Sequence, residues 1–259
     1  MNGNSDNERR EKIWTGKPIE HPCGLTFHPF TMRQYEEWAL LKRSLVLRQS
    51  TMPEKYAVMP YLSAIYAMDY DCRFQIGIFR GTLELLARAS LLSAEKFQFR
   101  MKAGSPNQLI AITYEDETHN VTITPADYPT IRKLLAEQNG EKIPDEAENP
   151  ELVQAEMDIA ALRTGNIKYD FETMIDSMAY QLSKSKQDVL NMTVREFMRM
   201  RQAIDRDKLY MLLAAAEYGG MVKFNKGNPQ PSWMFDLEKE PTSLERMSDF
   251  ASRTGISNA

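Results

Sequence analysis

Phe97-Gln98-Phe99-Arg100-Met101-Lys102 is the stretch that keeps this sequence from reading as all helix. Its apolar and polar residues alternate, and a period of two is that of a half-buried strand. Gly104, Ser105, Pro106 and Asn107 supply turn residues, Leu109 to Tyr114 reads as a second strand, and Val121 to Ile123 as a third after the polar turn Glu115 to Asn120. The expectation is a small antiparallel meander.

On both sides the pattern returns to helical spacing. Thr31 is placed to cap a helix with Gln34 reaching back to it, Phe30 to staple onto Tyr35, and Tyr35, Trp38, Leu41 and Leu45 to share one face, with Ser50, Thr51 and Pro53 ending it. A second helix runs through Tyr56, Met59, Leu62, Ile65 and Tyr66, with Pro60 in its first turn or at a kink. A third, from Asp71 to Ser93, carries Phe74, Ile78, Leu85, Leu86 and Ala89. Inside it Gly77 and Gly81 have the Gly-x-x-x-Gly spacing that lets another element approach closely. After the meander, Pro125 and Pro129 lead into a helix through Ile131, Leu134 and Leu135 that stops at Asn139 and Gly140.

These signals divide the chain into an irregular tail over 1–30, a helical region with the meander over 31–140, an acidic proline-bearing linker over 141–150, a helical domain over 151–235 and a tail over 236–259. Within the helical domain, Glu151 to Arg163 is helical and Gly165 breaks it, while Asp170 caps a helix carrying Met174, Ile175, Met178 and Leu182. A short turn at Val189 to Met192 follows, and Thr193 with Glu196 starts a long helix that Gly219 and Gly220 stop after Tyr218. A weak helix is expected near Leu244 to Ser252. The fold class is therefore α+β, predominantly α-helical.

With 32 Lys and Arg against 36 Asp and Glu, the formal charge of -4 argues against a general nucleic-acid coat or a membrane-surface role. Met1 to Lys12 is polar, and Leu83 to Leu92 is interrupted by Glu84 and Arg88, so neither a signal peptide nor a membrane span is expected. Two cysteines are too few for a disulfide framework, which points to the cytoplasm.

Motifs for catalysis do not stand out. A glycine-rich phosphate loop with its lysine, a Gly-x-Ser-x-Gly elbow and a His-Glu-x-x-His pair are all missing, so no catalytic residue and no cofactor is assigned. His21, Cys23 and His28 lie close together, with Cys72 as a fourth candidate ligand, but their spacing matches no common zinc module. Local hydrogen bonding is the preferred account of those histidines. The helix-turn-helix arrangement from Asp170 to Asp207 carries Arg195, Arg199, Arg201 and Arg206, as a nucleic-acid reader would. Glu196, Asp205 and Asp207 interrupt that charge, which leaves nucleic acid outside the expected partners.

Methionine is the more informative feature. Of 16, Met174, Met178, Met192, Met198, Met200, Met211, Met221 and Met234 fall in the last third, and flexible thioethers repack around varied apolar partners. Core filling is the ordinary role of any one of them.

Tyr169-Asp170-Phe171, Met174-Ile175, the polar turn Ser183 to Gln187 and the run Val189-Leu190-Asn191-Met192-Thr193-Val194-Arg195-Glu196-Phe197 together resemble tail assembly chaperones of tailed bacteriophages. The resemblance covers residues 169–235. It implies a helical, cofactor-free protein of the host cytoplasm that keeps the apolar helices of a tape-measure protein soluble and helps recruit tail tube subunits. Self-association into a homo-oligomer is left open. A client groove would then lie between Met174, Ile175, Met178 and Leu182 on one side and Met192, Val194, Phe197 and Met198 on the other. The extra amino-terminal half also suits a structural tail or baseplate protein that stays in the virion, and a helix-turn-helix regulator is the third reading.

Overall fold

The computed structural model describes residues 3–146, 155, 158, 170–221, 223–224, 229–230 and 232–234. The chain begins with helix α1 (Gly3–Trp14) and a hairpin of β1 (Ile19–Glu20) and β2 (Thr26–Phe27), with Ile19 opposite Phe27. This corrects the irregular tail expected over 1–30. Ile13, Ile19, Leu25, Phe27 and Phe30 are all buried, so apolar residues scattered among prolines serve as anchors. Gly24, at φ 91°, makes the left-handed turn that closes the hairpin.

A 3₁₀ turn at Met32–Gln34 leads into α2 (Tyr35–Leu41) and α3 (Arg43–Val46), followed by α4 (Glu54–Ala57), α5 (Tyr61–Asp71) and α6 (Ile78–Ser90). Gln34 does reach back, its Oε1 accepting from Thr31 N at 3.1 Å. Phe30 packs on Trp38, at 5.0 Å between ring centroids, while Tyr35 stacks on Phe171. The helix expected to start at Asp71 instead ends one and starts another later. Arg73 and Phe74 adopt left-handed backbone (φ 52° and 58°), as does Gly77, and α6 begins only at Ile78. Asp69 explains the break: buried in α5, its carboxylate accepts from Phe79 N at 2.6 Å and so caps α6 from the preceding helix.

The meander is present as β3 (Phe97–Lys102), β4 (Ser105–Glu115) and β5 (Asn120–Ile123), antiparallel in that order, with Phe97 opposite Tyr114 and Ile112 opposite Ile123. β4 starts earlier than its apolar run, taking in Ser105, Pro106 and Asn107. Helix α5 packs on β4, where Tyr66 donates its hydroxyl to Pro106 O at 2.9 Å and its ring meets Phe79 and Phe99. After α7 (Tyr128–Gln138), the described residues resume with α8 (Phe171–Leu182), α9 (Lys186–Asn191) and α10 (Val194–Tyr218). The fold is α+β and predominantly helical.

Two compact units make up the chain, Met1–Arg199 and Met200–Ala259. The division expected at 141–150 is therefore displaced. Glu141 pairs with Lys42 at 2.6 Å, and Glu146 accepts from the backbone N–H groups of Gln49 and Ser50, both at 2.9 Å, so this acidic stretch is fastened to the first unit. Residues 147–150, most of the helix expected at Glu151 to Arg163, and the tail at 236–259 lie outside the described residues. No helix among the described residues is long and apolar enough to cross a membrane.

Candidate docking surfaces

The residues expected to line a client groove do come together, but as packing. Asp170 caps α8, accepting from Thr173 N at 2.9 Å, Ser185 and Asp188 form a reciprocal cap on α9, and Thr193 Oγ1 accepts from Glu196 N at 3.1 Å to start α10. Ile175, Met178, Met192, Val194 and Phe197 are then buried, and Met174, Leu182 and Met198 half-buried. At Met192 and Val194 the amino-terminal part of the same unit packs against them. Met32 N donates to Met192 O and Val194 N to Phe30 O, each at 2.9 Å, and Arg33 Nε donates to Asn191 Oδ1 at 3.0 Å. Most of the expected groove residues are thus buried in the first unit, which periodicity could not show.

Three of the four arginines of the helix-turn-helix reading are also engaged. Arg195 donates to Glu137 O at 2.8 Å, Arg201 pairs with Asp205, and Arg206 donates to Trp233 O at 2.8 Å. Burial, with Arg199 nearby, lowers the Arg195 pKa. Among the described residues, no group of three or more His, Cys, Asp or Glu is arranged to hold a metal ion. His21 accepts from Cys23 N at Nδ1 (3.1 Å), its Nε2 lies 2.9 Å from Thr130 Oγ1, and burial pushes the Cys23 thiol up.

Among the described residues, two apolar surfaces stand out as open. In the second unit no residue of Met200–Tyr218 is buried, and Leu209, Met211, Leu212 and Tyr218 are exposed on the helix, as is Met221 just beyond it. In the first unit a cleft of about 560 Å³ lies between α2–α3 and the start of α6. Leu41, Val46, Leu47 and Ile78 line it, with Leu40 (63% exposed) and Ile76 (46%) standing at its mouth. Buried polar groups fix its walls. Arg132 of α7 donates to Leu45 O at 2.6 Å and Leu47 O at 3.1 Å, taking up carbonyls at the end of α3, while Tyr61 donates to Ser44 O at 2.8 Å. The guanidinium also lies 3.6 Å over the Tyr61 ring. The sequence carried a signal for this cleft in the Gly77 and Gly81 spacing and in Leu40, which falls off the apolar face of α2. Nothing in it showed that the two would meet.

No protein-family model, curated protein or solved structure matches the chain.

Proposed function

We propose that the protein is an assembly chaperone of a phage-type tail, acting in the host cytoplasm to hold apolar helices of a tape-measure protein and bring tail tube subunits to them. The observation that carries the reading is the carboxy-terminal part of α10, where Met200, Leu209, Met211, Leu212 and Tyr218 are exposed and no side chain is buried. Flexible methionine and leucine side chains held on a preformed helix suit an apolar helical client. The pattern at Tyr169 to Phe197 and its resemblance to tail assembly chaperones name the client class.

Co-expression with a tape-measure fragment tests this. The fragment should stay soluble and copurify with the wild-type chain but not with a Met211→Glu, Leu212→Glu variant. A fragment equally soluble without the protein removes the proposal. Mass spectrometry of purified particles separates the chaperone from a retained tail or baseplate subunit, because a chaperone should be scarce and a structural subunit present at fixed stoichiometry.

A further inference from the structure

We infer that the cleft between α3 and α6 is a docking groove for an amphipathic helix of another protein, one that turns small residues toward Gly77 and Gly81 and carboxylates toward Arg43. A Cβ built on either glycine meets no atom within 4 Å, so at Gly77 and Gly81 the wall of the cleft is bare backbone facing open space. Gly77 is the left-handed residue that precedes α6 and Gly81 lies in its first turn, so the start of the helix presents bare backbone that a second helix can approach closely, provided its own contact residues are small. The apolar side chains around that wall supply the rest of a helix-in-groove site, with Leu40 and Ile76 at the mouth and Val46, Leu47 and Ile78 within.

The exposure of Ile76 is built into the loop. Phe74 N donates to Asp69 O at 2.6 Å and the Phe74 ring stands edge-on to Tyr70 at 6.0 Å, so the left-handed turn at Arg73 and Phe74 is held from both ends of the residue. Charge selects the occupant. The ionisable residues lining the cleft are Arg43 and Arg48, with no carboxylate among the lining residues. An uncharged apolar helix would cover Arg43 without pairing it, whereas a helix with glutamates along one flank offers a charge-assisted partner.

This groove does not depend on the tail-assembly reading, and its test uses no tape-measure protein. The probe is a fluorescent synthetic amphipathic helix with alanines along its contact ridge and glutamates on one flank, and its control replaces those glutamates with lysines. Anisotropy titrations with the full chain should show binding of the glutamate peptide, at least about tenfold weaker binding of the lysine peptide, and loss of a similar factor with Gly81→Leu. A Cβ at Gly81 meets no atom within 4 Å, so Gly81→Ala should keep or raise the thermal midpoint, and a Gly81→Leu midpoint at least as high as wild type separates a blocked groove from a damaged fold. Arg43→Glu should reverse the preference between the two peptides. Absence of binding to the wild-type chain, or equal binding by wild type and Gly81→Leu, overturns the inference. Concentration-dependent self-association that Gly81→Leu abolishes would give the groove to a second copy and overturn the foreign helix as its occupant.

Discussion

Val194–Arg199 and Met200–Tyr218 belong to one helix and have similar chemistry, with methionines and arginines set among apolar residues, yet they end in different states. In the first stretch Val194 and Phe197 are buried, Arg195 is tied to Glu137 O, and the backbone at Val194 is bonded to Phe30. In the second, Ile204, Tyr210 and Leu213 are only half-covered and Leu209, Met211 and Leu212 are exposed. The second stretch is a helix for local reasons. Ala214, Ala215 and Ala216 are strong helix formers, Arg201 pairs with Asp205 one turn on, and Gly220 closes the end in left-handed backbone (φ 69°) while Met221 N donates to Ala216 O at 3.0 Å. A helix of this kind gains little from tertiary packing and keeps its apolar face available, which is what a docking element needs.

The largest effect that could break this comparison comes from truncating one residue in each stretch. Phe197→Ala removes a fully buried ring and should cost about 3–5 kcal/mol, read as a lower urea midpoint. Leu212→Ala should change stability by no more than about 0.5 kcal/mol. Similar losses in the two variants would mean that the second stretch is packed after all. Next in size is Asp69→Ala, which leaves Phe79 N without its acceptor at the head of α6 and should cost about 1–3 kcal/mol. Asp69→Asn keeps a carbonyl oxygen there and should recover much of the loss, so an equally poor Asn variant would disprove the capping role. In the opposite direction, Gly81→Ala puts a methyl into open space in a helix interior and should stabilise by about 0.5–1 kcal/mol.

The local elements were legible because each is written in neighbouring residues. The alternation at Phe97–Lys102 gave β3, and the side chains of Asp170 and Thr193 cap the helices they precede. Elements whose cause lies far along the chain were not legible. The break between α5 and α6 depends on Asp69 reaching Phe79, and the order in residues 13–30 depends on Leu25, Phe27 and Phe30 finding partners such as Trp38. The same limit governs the sites. Periodicity marked the apolar faces of α8 and α10, but at the start of α10 it is Phe30 and Met32 that pack against Val194 and Met192, while the rest of that helix has no buried residue among the described residues. Arg132, whose contacts shape the open cleft, had no sequence signal because its acceptors are backbone carbonyls of α3.

The smallest expected effect is a pH dependence confined to the first unit, which contains His21, His28 and His119. The Thr130 hydroxyl donates to Asp127 O at 2.7 Å, so its oxygen is left to accept from His21 Nε2–H, and Nδ1 is the acceptor for Cys23 N. That geometry requires neutral imidazole, since a proton on Nδ1 would face the Cys23 N–H. Burial lowers the His21 pKa, Arg9 adding to the effect and Asp127 opposing it, and burial lowers His28 as well. The unfolded chain therefore takes the proton more readily than the folded one, and stability present above the ordinary imidazole value of about 6.5 is lost as pH falls below it. Urea midpoints at about pH 7.5 and about pH 5.5 should show this loss, on either side of that value. His21→Asn offers a clean control, because an Asn side-chain oxygen can accept from the N–H two residues on and does not titrate. The variant should keep the hairpin turn and lose less stability on acidification, with His28 accounting for what remains. An identical pH slope in wild type and His21→Asn would show that the hairpin carries none of it.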